Sequence, residues 1–295
     1  MKVETGMNHQ RIALLTDSCA DIPSALCEQY GIFVLPLRLL FSDGEYLDGK
    51  TISADEVYER LPKELPVTSL PSAQMVQDLF EQIRQEGYQH VLAVHLSAGL
   101  SGTYNLVRVM AEDHPDLDIH VLDSSSGSLG IGMTLLQTAH MIRAGCSWEQ
   151  IIQAVPEMLE TTKVFFCVNT LEYLQKGGRI GKITAMTGTL LQIKPILTFE
   201  KSGQLINAAK GRGQKAAIER MLALLDSVCP TNVPLLAAVA DGGNPEEGDA
   251  LAAQLSERLP PNTPVIRGQI DGTLGAYVGP RLLGVGVQVV PQALR

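Results

Sequence analysis

The sequence predicts two α/β domains, the N-terminal one on a mostly parallel, doubly wound sheet and the smaller C-terminal one on a mixed sheet. Three observations carry this. Short apolar runs of strand length alternate with longer helix-like stretches through most of the chain. A length of 295 residues suits two medium domains. Polar loops recur where a strand-like run gives way to a helix, which is where open α/β sheets hold ligands. Residues 1–10 are polar and read as a flexible tail, residues 11–160 as the N-terminal domain and residues 161–295 as the C-terminal domain.

The elements follow in order. Arg11 to Thr16 is an apolar run and reads as the first buried strand. Asp21 and Pro23 open a helix that Gly31 closes. Ile32 to Phe41 reads as one strand, and Ser53-Ala54-Asp55-Glu56 is a capping box that starts a helix. Ser72 caps a helix running to Gly87, Val91 to Leu96 is the next strand, and Ser101 or Gly102 begins another helix. Ile119 to Leu122 is a strand, followed by a long helix from Ser126 to Ala144 that stops at Gly145, and Ser147 caps one more. In the second half, Val164 to Val168 is a strand. Helical segments flank Gly177-Gly178, the second reaching Gln192. Pro195 to Phe199 and Gln204 to Ala209 bracket the hairpin signal Lys201-Ser202-Gly203. Strands at Leu235–Ala240, Val265–Ile270 and Leu283–Val290 alternate with helices at Gln214–Ser227 and Pro245–Leu259.

Composition narrows the function. The net charge is −9 and aromatics are 5%, which disfavours both a phosphate-backbone binder and a base-stacking surface. No apolar run approaches the ~20 residues of a membrane span, and the N-terminus lacks a signal-peptide core, so a cytoplasmic protein is expected. The five cysteines are odd in number and lack C-x-x-C spacing, and they read as separate thiols. The six histidines show no metal-ligand spacing, so no metal is expected. Gly181-Lys182 fails as a phosphate loop, because Lys176 stands at the first glycine position and Ile183 follows the lysine.

Three polar stretches remain: Thr68-Ser69-Leu70-Pro71-Ser72, Ser97 to Tyr104, and Leu171 to Ile180. Each has a plain structural reading, as two helix N-caps and one glycine C-cap. Their shared placement at strand ends also gathers hydroxyls, backbone N–H groups and Arg179 where an anionic head group is held. Asp17-Ser18 reads as a local turn, with metal-assisted phosphoryl chemistry as the alternative. His95 reads as a satisfied core histidine. A stand-alone hydrolase or transferase using Ser101 with His95 as base is the competing enzyme reading, although no G-x-S-x-G elbow is present.

These stretches resemble the TSQPS, SSxLSGTY and YLxKGGRI signatures of the DegV family of bacterial fatty-acid-binding proteins. Leu15 to Pro23, Leu190 to Leu197 and Val278-Gly279-Pro280 extend the resemblance, in order, from residue 11 to the C-terminus. The resemblance implies two α/β domains holding a long-chain fatty acid such as hexadecanoate. It further implies a non-catalytic subunit that presents the acid to a dihydroxyacetone-kinase-like partner for acyl-phosphate formation. The lipid is then the ligand, with no other cofactor and no nucleic acid, and with room for transient membrane contact. Thr68, Ser101, Ser97 and Ser69 are the implied carboxylate donors, with Arg179, Gly102 and Tyr277 near the head group. Two departures stand out: Ala98 replaces the second serine of SSxLSGTY, and Tyr277 stands where the closing H-x-G-P-G motif has histidine.

Overall fold

The structure is a computed structural model that describes residues 8–183, 192–230 and 232–295. β1 (Ile12–Asp17) is wholly buried, α1 (Ser24–Tyr30) follows, and β2 (Ile32–Leu35) returns beside β1 in parallel. The strand expected over Ile32 to Phe41 is broken at Pro36, which has no N–H to offer a ladder. Beyond it β3 (Arg38–Phe41) leaves the parallel sheet, turns into β4 (Gly44–Leu47) and pairs on its other side with β5 (Val67–Ser69). This small antiparallel meander has no counterpart in the sequence reading. α2 (Ala54–Arg60) interrupts it, started by the expected capping box, in which Ser53 and Glu56 bond each other's backbone N–H.

α3 (Ala73–Gln85), β6 (His90–His95), α4 (Thr103–Ala111) and β7 (Asp118–Asp123) complete the first unit. The four-stranded sheet has the order β2-β1-β6-β7, parallel throughout. α5 (Leu129–Arg143) and α6 (Trp148–Thr161) come next, the latter again with its capping box, at Ser147 and Gln150. The second unit holds β8 (Lys163–Cys167), the short α7 (Glu172–Lys176), β9 (Ile193–Phe199), β10 (Leu205–Arg212), α8 (Gln214–Val228), β11 (Leu235–Asp241), α9 (Pro245–Arg258), β12 (Val265–Gln269), α10 (Gly272–Val278) and β13 (Leu283–Val289). Its six-stranded sheet runs β10-β9-β8-β13-β11-β12. Only β11 and β12 pair in parallel there, so the sheet is mixed. The second helical segment expected after Gly178 is turn and coil over residues 179–183, and the rest of it, residues 184–191, lies outside the described residues.

α5 joins the two units. Thirteen of its fifteen residues are buried, which an amphipathic surface helix never achieves. One side, with Ile131, Leu135 and Leu136, packs with Leu14, Leu92 and Val94 of the parallel sheet. Leu129 and Met133 pack instead with Val164, Phe166 and Ala238 of the mixed sheet. No helix among the described residues is long and apolar enough to cross a membrane. The cysteines are all free thiols.

Candidate functional site

The three polar stretches meet at one cavity wall beside Tyr277 of α10, which the first and third of them touch. In β5 the strand pleat sends neighbouring side chains to opposite faces. Thr68 turns inward and its hydroxyl meets the Tyr277 hydroxyl in a close hydrogen bond. Ser69 turns the other way and accepts from an Arg38 Nη at 2.9 Å, while Arg38 Nε donates to the Leu70 carbonyl at 2.7 Å. Ser72 then caps α3 by accepting from the Met75 N–H.

The second stretch lies against the first. A Cβ on Gly102 would come within 3.2 Å of Leu70 Cδ1, so the absence of a side chain there lets the loops touch. Gly102 offers α4 no side-chain cap, and Ser101 supplies it: its Oγ accepts from the Thr103 N–H at 3.3 Å and lies 2.9 Å from Thr103 Oγ1. Ser97 is differently occupied. It is fully buried, its Oγ donates to the Gly203 carbonyl at 2.9 Å and accepts from the Gly99 N–H at 3.0 Å. Its hydroxyl ties the serine loop to the Lys201-Ser202-Gly203 hairpin of the other sheet.

The third stretch ends α7. Gly178 adopts φ +70°, the left-handed region that lets the chain reverse after a helix. This aims Arg179 back across the site. Its Nε donates to the Leu100 carbonyl at 3.4 Å, an Nη donates to the Gly177 carbonyl at 2.9 Å, and the guanidinium lies 4.9 Å from the Tyr277 ring centroid. Among the described residues no carboxylate pairs with Arg179. Gly177 is required by contact: a Cβ there would sit 2.3 Å from Tyr277 Cδ1.

Thr68, Ser101, Arg179 and Tyr277 thus stand together at the wall of one cavity. The remainder of its lining is apolar and comes from both units, including Leu37, Leu96, Leu129, Val164, Phe166 and Phe199. The space is narrow, with about 70 Å³ in which the centre of a water molecule can move. Of the residues read from the sequence as head-group contacts, Ser69, Ser97 and Gly102 are not in this lining. The hydroxyls of Ser69 and Ser97 are engaged elsewhere, and Gly102 serves the approach of the two loops.

The Ser101–His95 pair of the enzyme alternative is not formed among the described residues, and His95 is not the satisfied core histidine expected, since its Nε2 is buried there without a hydrogen-bond partner. His95 is fully buried and its Nδ1 lies 3.0 Å from Asp17 Oδ2, which also accepts from the Leu96 N–H at 2.9 Å. Ser101 bonds Thr103, and among the described residues no hydrogen bond joins it to His95. Asp17 Oδ1 accepts from the Cys19 N–H, so this carboxylate serves the turn and the sheet. Among the described residues no set of His, Cys, Asp and Glu is disposed to hold a metal ion.

What the sequence reading missed is the support beneath Tyr277. α10 is short and glycine-rich, and its N-terminus is gripped by acids of the first unit. Asp48 accepts from the N–H groups of Gly272 and Thr273 at 3.1 and 3.0 Å, from Thr273 Oγ1 at 2.6 Å and from Ser18 Oγ at 3.2 Å. Asp21 Oδ1 accepts from the Asp271 N–H at 2.8 Å, and Asp271 caps the helix through the Leu274 N–H at 2.9 Å. Burial pushes the Asp21 carboxyl up to about 7. Burial, and then the charges of Asp48 and Asp21, hold the Asp271 carboxyl well above the ordinary range. The one local signal for this helix was Asp271 followed by Gly-Thr-Leu, an N-cap in a stretch otherwise poor in helix formers.

Comparison with known proteins identifies the family and matches the fold. The DegV family model matches residues 11–290. A DegV domain-containing protein from Clostridium acetobutylicum is 39% identical over 277 residues, covering 94% of this chain and 98% of that protein. Among solved structures, a fatty-acid-binding DegV family protein from Thermus thermophilus superposes with a TM-score of 0.87 at 30% identity, covering 95% of this chain and 99% of its own. DegV from Bacillus subtilis, described as a fatty acid binding protein, gives 0.85 at 32% identity, with 96% of this chain and 100% of that one covered.

Proposed function

This chain belongs to the DegV family, and we propose that it binds a long-chain fatty acid, tail in the apolar cavity and carboxylate at Thr68 and Ser101 with Arg179 beside the head group, and presents it to a partner kinase for acyl-phosphate formation. One observation carries the reading: the hydroxyl–hydroxyl contact of Thr68 with Tyr277 stands at the wall of an otherwise apolar cavity that Arg179 also reaches. Each methylene taken from water contributes ~0.8 kcal/mol, so a long tail gains on the order of 10 kcal/mol gross. The carboxylate must then be met by donors, because an unpaired buried charge is prohibitive.

Tyr277 gives the pair a direction. A phenol is a stronger acid than an alcohol, so Tyr277 donates to the Thr68 oxygen and leaves the Thr68 hydrogen free for the ligand. The tyrosine that replaces the family's histidine therefore acts as an orienting donor. Arg179, exposed and without a carboxylate partner among the described residues, faces the charge that grows as a phosphoryl group arrives. On this reading the chemistry is supplied by the partner kinase, for which the resemblance implies a dihydroxyacetone-kinase-like enzyme.

Native mass spectrometry of protein purified from cells tests this reading. A co-purifying mass equal to a long-chain fatty acid is expected, and none would refute it. Thr68→Val keeps the shape and removes the donor. It should weaken binding by one to two orders of magnitude, since a hydrogen bond to a charged group is worth about 1.5–3 kcal/mol. Gly177→Ala drives a methyl into the Tyr277 ring and should reduce affinity on the order of tenfold, about 1.4 kcal/mol, with the circular dichroism spectrum unchanged. Equal affinity in either variant would show that the hydroxyl pair does not hold the head group.

A further inference from the structure

We infer that Met133 is the stop that limits acyl chain length, closing a glycine-floored groove between α5 and β13 that is open one step earlier, at Gly284. The inference rests on the binding reading above and assigns its selectivity to particular residues.

The groove has two walls with matched repeats. On β13, residues two apart share a face, so Gly284 and Gly286 lie in line on the side that α5 covers. On α5, residues four apart share a face, so Leu129 and Met133 lie in line above them. Leu129 and Gly284 line the cavity, as do Phe166 and Val164 of β8, which stand opposite Gly284 and Gly286 in the sheet register.

The two glycines differ in what covers them. A Cβ built on Gly284 would meet nothing nearer than 3.6 Å, the Cβ of Phe166, with Leu129 Cδ1 at 3.8 Å. A methyl would thus fit over Gly284 at ordinary contact distances, and the cavity lining reaches this position. A Cβ on Gly286 would lie 2.8 Å from Met133 Cε. The thioether methyl already fills that position, and Met133 is 1% exposed. The cavity lining reaches Gly284 and includes neither Gly286 nor Met133, whose methyl holds the next position on the same face. A tail advancing from Tyr277 toward β13 meets the end of a flexible, unbranched side chain. Methionine suits this place because it fills irregular gaps. Shortening it lengthens the groove without moving backbone.

The test is a pair of variants with opposite expected shifts. Met133→Ala vacates the notch over Gly286 and should move preference to chains about two carbons longer. Gly284→Ala adds a methyl at ordinary contact distances, and should move preference to shorter chains. Each protein is equilibrated with an equimolar series of saturated acids of graded length, and bound masses are read by native mass spectrometry. The occupancy ratio between neighbouring even-numbered chains should change on the order of tenfold, what two methylenes are worth in transfer from water. If the wild type takes up no acid at all, the binding reading falls and this inference with it. If the wild type selects among the acids and either folded variant gives a superimposable profile, the inference alone is overturned. If Met133→Ala does not fold, Gly284→Ala still tests the premise: an unchanged profile there means that the tail does not reach β13 and overturns the inference.

Discussion

Asp48→Ala is expected to destabilise the protein by roughly 3–5 kcal/mol, because two buried backbone N–H groups lose their acceptor at about 1–3 kcal/mol each and two hydroxyls lose a partner. Asp48 is 2% exposed and its oxygens accept from Gly272, Thr273 and Ser18, joining the loops of the parallel sheet to the start of α10. Water cannot readily replace it there. The same helix carries Tyr277, so ligand affinity should fall along with stability. Urea unfolding followed by tryptophan fluorescence measures the first effect, with the denaturant slope checked for constancy. A loss below about 1 kcal/mol would mean that α10 is held by its apolar packing and not by this carboxylate.

The second large effect is on pH. Asp21, with its native carboxyl raised from 3.8 to about 7, keeps a proton that the unfolded chain has already released between those two values. The native state therefore binds more protons across that window, and stability falls as pH rises through it. This group's contribution is most favourable below about pH 4, and its full charging cost is present above about pH 7. Asp271 is raised in the same direction and adds to the trend. The groups facing the pair are Cys19, Asp48, Asp17 and Tyr58, which are acidic or neutral, and among the described residues no basic side chain bonds Asp21, Asp48 or Asp271. Asp271→Asn retains an oxygen for the Leu274 N–H and removes one ionisable member. It should be more stable than wild type at pH 8, with the difference shrinking as pH falls and vanishing below about pH 4, where the unfolded chain holds the proton too. Thermal unfolding across that range checks it, and a constant difference at all pH values would rule out the linkage.

The parallel sheet and its helices were legible because their signals are local. β1, β6 and β11 are continuous apolar runs, and the Ser53 and Ser147 capping boxes announce α2 and α6. The β3-β4-β5 meander was not legible, since its strands are three or four residues long and follow a proline break. α10 was hidden for a different reason. Its residues have little helical propensity of their own, and the groups that fix its start, Asp48 and Asp21, are more than 200 residues away in sequence. The candidate site divides in the same way. Thr68, Ser101 and Arg179 could be singled out as polar groups at element ends, and they do reach one cavity. Ser97 looked equivalent in sequence, but its hydroxyl goes to a carbonyl in a hairpin 106 residues on, a partner that no local pattern reveals.

The burial of α5 on both sides reaches beyond the site. Neither sheet owns that helix, and cutting the chain near the passage from α6 to β8 would strip the mixed sheet of the side chains that cover Phe166 and Val164. The halves are thus poor candidates for swapping between relatives as finished modules. Any inherited change in one must be accommodated by the other, through a single rod of fifteen residues on which both lean.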